Sequence, residues 1–249
     1  MRRIQVRKRL ITALAVGVGA LAVAGAAYAA VTVTFSATMS PNKANKPAAL
    51  SVDIKSNDPA AEQPPIMNRI VIKFDKGGKF DAKRFPRCQL AKLQARGPNG
   101  CPSKSKIGTG AGVGMAKPVV TDPVNGKLTL FNGAKVGGKD TVLVYVFPDL
   151  GPTFVSVGKI SKPGGRYTLD FNIPPIKTLP SAPDASVVSV KTKTPVKKVT
   201  KRSGKRKKRY YLITSPKTCN GGEWKGSGTF YFTTGETQTV PFTQKCKKR

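Results

Sequence analysis

The chain has 249 residues, of which 44 are Lys or Arg, 12 are Asp or Glu and none is His, so its formal net charge is +32. Without His, the chain has no Ser-His-Asp or Cys-His triad, no His-ligated zinc and no two-His-one-carboxylate iron site. General acid–base catalysis would depend on carboxylates, on Tyr or on a Lys of lowered pKa. We therefore expect a protein that is not an enzyme and that uses no metal or cofactor.

The first 29 residues predict an export signal. Residues 2–9 contain five Arg or Lys, residues 10–26 carry no charge, and Ala27-Tyr28-Ala29 supplies a small-x-small cleavage pattern. We expect cleavage after Ala29 and a secreted or cell-surface location. The alternative is an uncleaved N-terminal anchor helix, because the apolar stretch is nearly long enough to span a bilayer. Removal of residues 1–29 leaves 39 basic and 12 acidic residues, a net charge of +27.

Residues 30–249 predict one all-β domain, an antiparallel β-sandwich of jelly-roll-like type. About a dozen short segments rich in Val, Ile, Thr and aromatic residues follow one another at spacings near ten residues, as in sandwiches. In chain order they are 31–37, 50–55, 69–74, 119–121, 127–131, 141–147, 153–160, 166–173, 185–190, 209–214, 228–233 and 237–243.

One short helix and four turns complete the predicted elements. The helix lies near 88–96, where Leu90 and Leu93 share a face and Gly97 followed by Pro98 ends it. Paired turn-forming residues predict hairpin turns between the strands: Asn125-Gly126, Asn132-Gly133, Gly137-Gly138 and Gly164-Gly165.

The alternating glycines of residues 108–114 are typical of a strand and not of a phosphate-binding loop. Val113 stands where a G-x-G-x-x-G motif beginning at Gly108 needs glycine, and neither a Gly-Lys-Ser/Thr sequence nor a helix pattern follows. The four glycines fall on one face of the predicted strand. Such a face allows another backbone or an aromatic ring to approach closely.

The four cysteines predict two structural disulfides, because disulfides persist in the oxidising environment of an exported chain. Three pairings are possible, and proximity in the sequence favours Cys88–Cys101 and Cys219–Cys246. In the chain-entropy model each such loop contributes about 3 kcal/mol. A zinc site is disfavoured, because the spacing contains no Cys-x-x-Cys and the chain has no His.

Residues 191–209 concentrate positive charge. They hold eleven Lys or Arg among nineteen residues and no acid, and the last five residues of the chain add four more. Two interpretations stay open: a solvated hairpin loop between two strands, or a surface that attaches to anionic cell-envelope polymer or membrane. Export and the lack of interleaved aromatic residues disfavour nucleic acid as the partner. The candidate polyanion-binding residues are Lys197, Lys198, Lys201, Arg202, Lys205, Arg206, Lys207, Lys208 and Arg209.

An alternative function is that of a carbohydrate-binding or carboxylate-dependent carbohydrate-active protein. Two carboxylates suffice for a glycosidase, and the sequence offers Asp75 with Asp81 and Asp149 with Asp170. Trp224, the one Trp of the chain, could stack on a sugar. The competing interpretation is that the acids are exposed turn residues and that Trp224 packs on the Cys219–Cys246 bridge.

Three segments carry a resemblance to a group of proteins. They are the F-x-x-x-x-F-P-x-C stretch of residues 80–88, the CPSKSKIG stretch of residues 101–108, and SPKTC of residues 215–219 followed by Trp224 and Cys246. In these segments the chain resembles uncharacterised secreted β-rich actinobacterial proteins with a CPxxSKIGxG segment and paired cysteines. The resemblance implies an exported β-rich domain with two local disulfides. It implies no activity and no catalytic residue.

Overall fold

A computed structural model describes residues 31–177, 183–203 and 206–248, so the predicted signal segment 1–29 lies outside the described residues. The described chain is mostly β-strand with one short α-helix, α1 at Leu90–Arg96, which confirms the all-β class and the predicted helix. The strands are β1 Thr32–Ser40, β2 Ala49–Asn57, β3 Met67–Lys76, β4 Lys79–Phe80, β5 Lys106–Ala116, β6 Val120–Val136, β7 Lys139–Pro148, β8 Phe154–Ser161, β9 Arg166–Asn172, β10 Ser186–Thr194, β11 Lys198–Ser203, β12 Arg206–Tyr211, β13 Ile213–Thr214, β14 Glu223–Phe232 and β15 Thr237–Lys245. Short 3-10 turns occupy Ala82–Arg84, Gly97–Gly100, Ser103–Ser105, Pro163–Gly165 and Asn220–Gly222.

Eleven strands form one antiparallel sheet in the order β1-β2-β10-β5-β6-β7-β8-β9-β3-β14-β15. The remaining strands pair two by two, β11 with β12 and β4 with β13. The structure confirms antiparallel strands around an apolar interior but differs from the predicted sandwich in one respect. The strands on the two sides of the interior belong to one continuous sheet and not to two separate sheets.

The two edge strands of this sheet, β1 and β15, lie side by side. Because an odd number of antiparallel strands leaves the first and the last running in the same direction, this junction is parallel. The Gln244 side chain bridges it: its Oε1 accepts from the Met39 N–H and its Nε2 donates to the Met39 carbonyl, both at 2.7 Å. Six residues earlier, the Val33 N–H donates to Oε1 of Gln238. Side-chain amides thus satisfy backbone groups that edge strands otherwise leave unpaired.

Residues on each strand alternate between the interior and the outer face, as the period of a strand requires. On β7, Val142 and Val144 belong to the interior cluster, whereas Leu143 and Tyr145 belong to a separate outer cluster. Helix α1 covers that outer cluster with Leu93, which is fully buried. The interior and the layer under α1 are therefore two distinct apolar regions.

Both predicted disulfides are formed. Cys88–Cys101 joins the residues before and after α1, with a Cα–Cα distance of 5.0 Å, and both cysteines pack in the outer apolar cluster. Cys219–Cys246 links the segment before β14 to the end of β15, with a Cα–Cα distance of 5.8 Å. Such bonds are compatible with an extracellular location.

Two of the four predicted turns are correct and two are wrong. Gly137-Gly138 and Gly164-Gly165 have positive φ and connect strands. Asn125-Gly126 and Asn132-Gly133 instead lie inside the seventeen-residue strand β6. The Asn132 side chain is fully buried, and its Nδ2 lies 3.0 Å from the carbonyl oxygens of Ala82 and Pro86. This distant contact holds the residue in extended backbone where its local sequence favours a turn.

The glycines of residues 108–114 lie on strand β5, as predicted, and their face turns to the interior. Thr109 and Ala111, between them, are exposed. A Cβ at Gly108 or Gly110 would clash with carbonyl oxygens of the neighbouring strand β10. The close backbone approach predicted for this segment is therefore present.

Candidate anion-binding surface

Strands β11 and β12 stand apart from the main sheet and carry most of the predicted polyanion-binding residues. They pair antiparallel, from Lys198 opposite Tyr211 to Ser203 opposite Arg206. We call residues 197–211 the basic ribbon. The stretch is thus a two-stranded hairpin. Lys205, near its tip, lies outside the described residues.

The base of the basic ribbon is fixed to the rest of the molecule. Val199 packs against the interior cluster that contains Leu212. The Leu212 N–H donates to the Lys197 carbonyl at 3.0 Å. The Arg84 guanidinium lies over the ring of Tyr210, 3.8 Å from its centroid. Because an isolated hairpin is only marginally stable in water, these contacts are what hold the ribbon in place.

Beyond this base, the two strands place positive charges directly opposite each other. Lys201 faces Lys208, and Arg202 faces Lys207. Directly opposite residues have Cβ atoms only about 4.5–5.5 Å apart, and like charges at that distance destabilise the pairing. The two pairs point to opposite faces, since they are adjacent along the strands. The ribbon therefore presents cations on both faces at a cost to its own stability.

Eight of the nine predicted polyanion-binding residues are described. Lys197, at the base, is half-buried. The other seven are exposed: Lys198, Lys201, Arg202, Arg206, Lys207, Lys208 and Arg209.

Carboxylates neutralise basic residues elsewhere in the molecule but not here. Six ion pairs join described residues, and none of them includes a residue of the basic ribbon. The contrast is clearest at Arg69, whose Nε and Nη2 each donate to a carboxylate oxygen of Asp170 at 2.8 Å. This hydrogen bonding lowers the pKa of Asp170 and raises the pKa of Arg69. The described cations of the ribbon have no such partner and remain available to an external anion.

The structure joins the second basic stretch of the sequence, at the C-terminus, to the same end of the molecule. The Lys247 N–H donates to the Asn42 carbonyl at 2.7 Å, and the Ala44 N–H donates to the Lys247 carbonyl at 3.0 Å. From the same loop, the Lys46 carbonyl accepts from the Ser215 N–H at 2.9 Å, shortly after the ribbon ends. Four exposed residues therefore extend the charged surface beyond the ribbon: Lys43, Lys217, Lys247 and Lys248.

We call the basic ribbon and these four lysines together the basic end. Lys43 and Lys217 were missed by the sequence analysis because neither belongs to a dense basic run. Their charge could have been noticed in the sequence, but only the contacts between the loop after β1 and the end of β15 place it beside the ribbon.

Four of the five residues considered for a carbohydrate site are engaged in other contacts, and the fifth, Asp149, is exposed. Trp224 is buried, packs against Cys219 and Cys246, and donates its Nε1–H to the Thr218 carbonyl at 2.9 Å. It therefore offers no stacking platform, and the interpretation as a core Trp is confirmed. Asp81 pairs with Arg84 at 2.8 Å, Asp170 pairs with Arg69, and Asp75 accepts backbone N–H groups.

Neither the family models, nor the curated proteins, nor the solved structures compared with this chain gave a match. Among the described residues, no three His, Cys, Asp or Glu side chains cluster as a metal site would require. Within the same residues, every helix is too short to cross a bilayer. The function is therefore inferred from the chain's own geometry, in which the basic end is the most distinctive surface.

Proposed function

We propose that this is a non-catalytic, exported protein that attaches to the cell envelope through its basic end. The ligand chemistry is a surface of closely spaced phosphate groups, supplied either by an anionic envelope polymer or by anionic lipid. The observation that supports this most strongly is the pairing of Lys201 with Lys208 and of Arg202 with Lys207 on an anchored hairpin whose described cations have no carboxylate partner.

Electrostatics favours an anionic partner for such a hairpin. Opposed cations repel in the free protein, and an anion placed beside them replaces repulsion with attraction. Each basic residue near an anionic surface contributes about 1 kcal/mol, and the attraction extends over a Debye length of about 8 Å at physiological salt. The exposed cations on the face of the ribbon that meets the surface thus provide free energy for reversible attachment.

Export is the part of the proposal that rests on the sequence and on the disulfides. The basic, apolar and small-x-small pattern of residues 1–29 favours secretion, and both cysteine pairs are oxidised, as is usual outside the cytoplasm. In that location phosphate-bearing envelope components are accessible, and export disfavours nucleic acid as the physiological partner.

Attachment is tested by retention of the protein on isolated cell envelopes. A four-site variant replaces Lys201, Arg202, Lys207 and Lys208 with Gln, which preserves the anchoring residues Val199 and Tyr210. We expect its partition onto envelopes to fall at least about thirtyfold, because each face of the ribbon loses two contributions of about 1 kcal/mol. A matched control replaces four exposed lysines of the main body with Gln and should remain bound: Lys55, Lys92, Lys127 and Lys159.

Two arms of the same assay identify the source of the phosphate groups. Delipidated envelopes report on polymer, and vesicles of phosphatidylglycerol in phosphatidylcholine report on lipid. Retention of the four-site variant equal to that of the wild-type protein in both arms would overturn the proposal. Equal losses in the four-site and control variants would show a general effect of net charge and would overturn it as well.

A further inference from the structure

A long apolar cavity of about 240 Å³ runs through the interior of the closed sheet. On β7 alone its wall extends from Val142 to Pro148, which is about 20 Å along an antiparallel strand. One end reaches Leu150, whose exposed fraction is 42%, so the lining at that end includes a residue in contact with solvent. The other end lies beside Phe80 and Ile213 of the small sheet formed by β4 and β13.

Part of the cavity's wall carries no side chain. Gly112 and Gly114 of β5 line the cavity together with Gly126 of β6, which pairs with Gly112. On the opposite side, large rings fill the same space: Phe35 lies 5.6 Å from Phe230 and 5.3 Å from Phe242, measured between centroids. Aromatic rings therefore fill the interior near the junction of β1 and β15, whereas glycines leave room for the cavity in part of the wall formed by β5 and β6.

The lining is suited to hydrocarbon and not to water. Aliphatic side chains dominate it, among them Leu128, Leu130, Val144 and Ile160. Among the lining residues that carry a hydroxyl, Ser156 donates to the Asn172 carbonyl at 2.8 Å, whereas the buried Thr168 hydroxyl has no partner among the described residues. Apolar cavities stay dry and accept apolar ligands, since a water molecule needs two to four polar partners.

We propose that this cavity binds the single alkyl chain of a free amphiphile. An apolar cavity of about 150 Å³ takes the six carbons of benzene, so by proportion the present volume holds about ten carbons. The elongated shape fits an unbranched chain, which enters beside Leu150 and leaves its polar headgroup in solvent. This site is independent of the proposed envelope attachment, because it lies inside the sheet and involves none of the ribbon's charges.

The test is a titration of the oxidised protein with uncharged 1-alkanols of six to fourteen carbons, followed by calorimetry. Affinity should rise about fourfold with each methylene, up to about 1-decanol, and then stop rising. Saturating 1-decanol should also raise the melting temperature, because a ligand of the folded state stabilises it.

Val146→Trp places a large ring in the cavity near the proposed entrance and should weaken 1-decanol binding at least tenfold. Val136→Trp makes the same change at an exposed position and should leave the affinity within about twofold. If Val146→Trp does not fold, Gly126→Ala provides the same test. Its new methyl would lie 3.5 Å from Val146 Cγ1, an ordinary contact, and should move the optimum to a shorter alkanol.

Three results would overturn the inference. They are no saturable binding of 1-decanol by the wild-type protein, an unchanged affinity in both cavity variants, or uptake of a diacyl lipid from phosphatidylcholine vesicles without binding of 1-decanol. The four-site ribbon variant should bind 1-decanol as the wild-type protein does. Failure of this proposal and failure of envelope attachment are therefore distinguishable.

Discussion

Asn132 shows how one buried polar side chain decides the path of the chain. It has no exposed surface, and its amide nitrogen approaches three carbonyl oxygens of residues 82–86. These contacts connect the loop before Cys88 with strand β6. They keep an Asn-Gly pair extended at a position where the isolated sequence favours a turn.

Asn132→Ala should lower the free energy of unfolding by about 2–3 kcal/mol, because it leaves buried carbonyl groups without a donor. Asn125→Ala changes the other Asn-Gly pair of the same strand, where the side chain is exposed, and should cost less than about 0.5 kcal/mol. Urea unfolding measures both variants. Equal losses would contradict the role assigned to Asn132.

The two Asn-Gly pairs also mark a limit of the sequence analysis at the residue scale. Gly137-Gly138 and Gly164-Gly165 were predictable as turns, because each adopts positive φ within a short connection. The environment of Asn132 depends on residues about fifty positions away in the chain, which no local pattern contains. Burial of Trp224 on its neighbouring disulfide was predictable, since Cys219 lies only five residues before it.

Among the elements, the junction of β1 with β15 converts an open sheet into a closed one. Gln244 replaces a ladder hydrogen bond with two side-chain bonds to Met39, and Gln238 adds a third to Val33. In the sequence these glutamines are ordinary polar residues of an alternating strand. Closure of the sheet was therefore not predictable, although β1 and β15 themselves were predicted at nearly their observed positions.

Gln244→Leu keeps the side-chain volume but removes both hydrogen bonds to Met39. We expect a loss of about 1–3 kcal/mol in the free energy of unfolding and faster hydrogen exchange at the Met39 amide. Gln94→Leu, on the exposed face of α1, is the matched control and should change neither quantity. Unchanged exchange at Met39 in Gln244→Leu would show that the junction does not depend on this side chain.

Only part of the basic ribbon was predictable from the sequence. Its charge and its candidate residues were evident, and Tyr210 was assigned to a strand. The pairing of its two strands was not predictable, because Lys favours strands less than β-branched and aromatic residues do. The cross-strand register, which opposes Lys201 to Lys208, is the property on which the proposed attachment depends.

On the scale of the whole molecule, the two proposed sites lie at opposite ends of the closed sheet. The ribbon is attached at the end of the sheet where β10 ends and β2 begins. The proposed entrance to the cavity lies at the other end, beside Leu150 between β7 and β8. An empty cavity of about 240 Å³ forgoes on the order of 6 kcal/mol of packing, comparable with the net stability of a domain. A bound alkyl chain would recover part of that loss.

The all-β antiparallel class, the helix and both disulfides were predictable, because alternation, a Gly-Pro stop and cysteine spacing are local signals. The glycine face of residues 108–114 was predicted as well. Whether it faced solvent or the interior was not, since glycine is compatible with either. Only closure of the sheet determines that this face borders a cavity.

The central claim, attachment through opposed cations, is tested most directly by the salt dependence of binding to linear polyphosphate. For the wild-type protein, the logarithm of the association constant should fall linearly with the logarithm of salt concentration. The four-site variant should show a slope shallower by about 3, since each phosphate contact contributes about 0.7–0.9. Identical slopes for the two proteins, or binding by the wild-type protein that does not respond to salt, would contradict the claim.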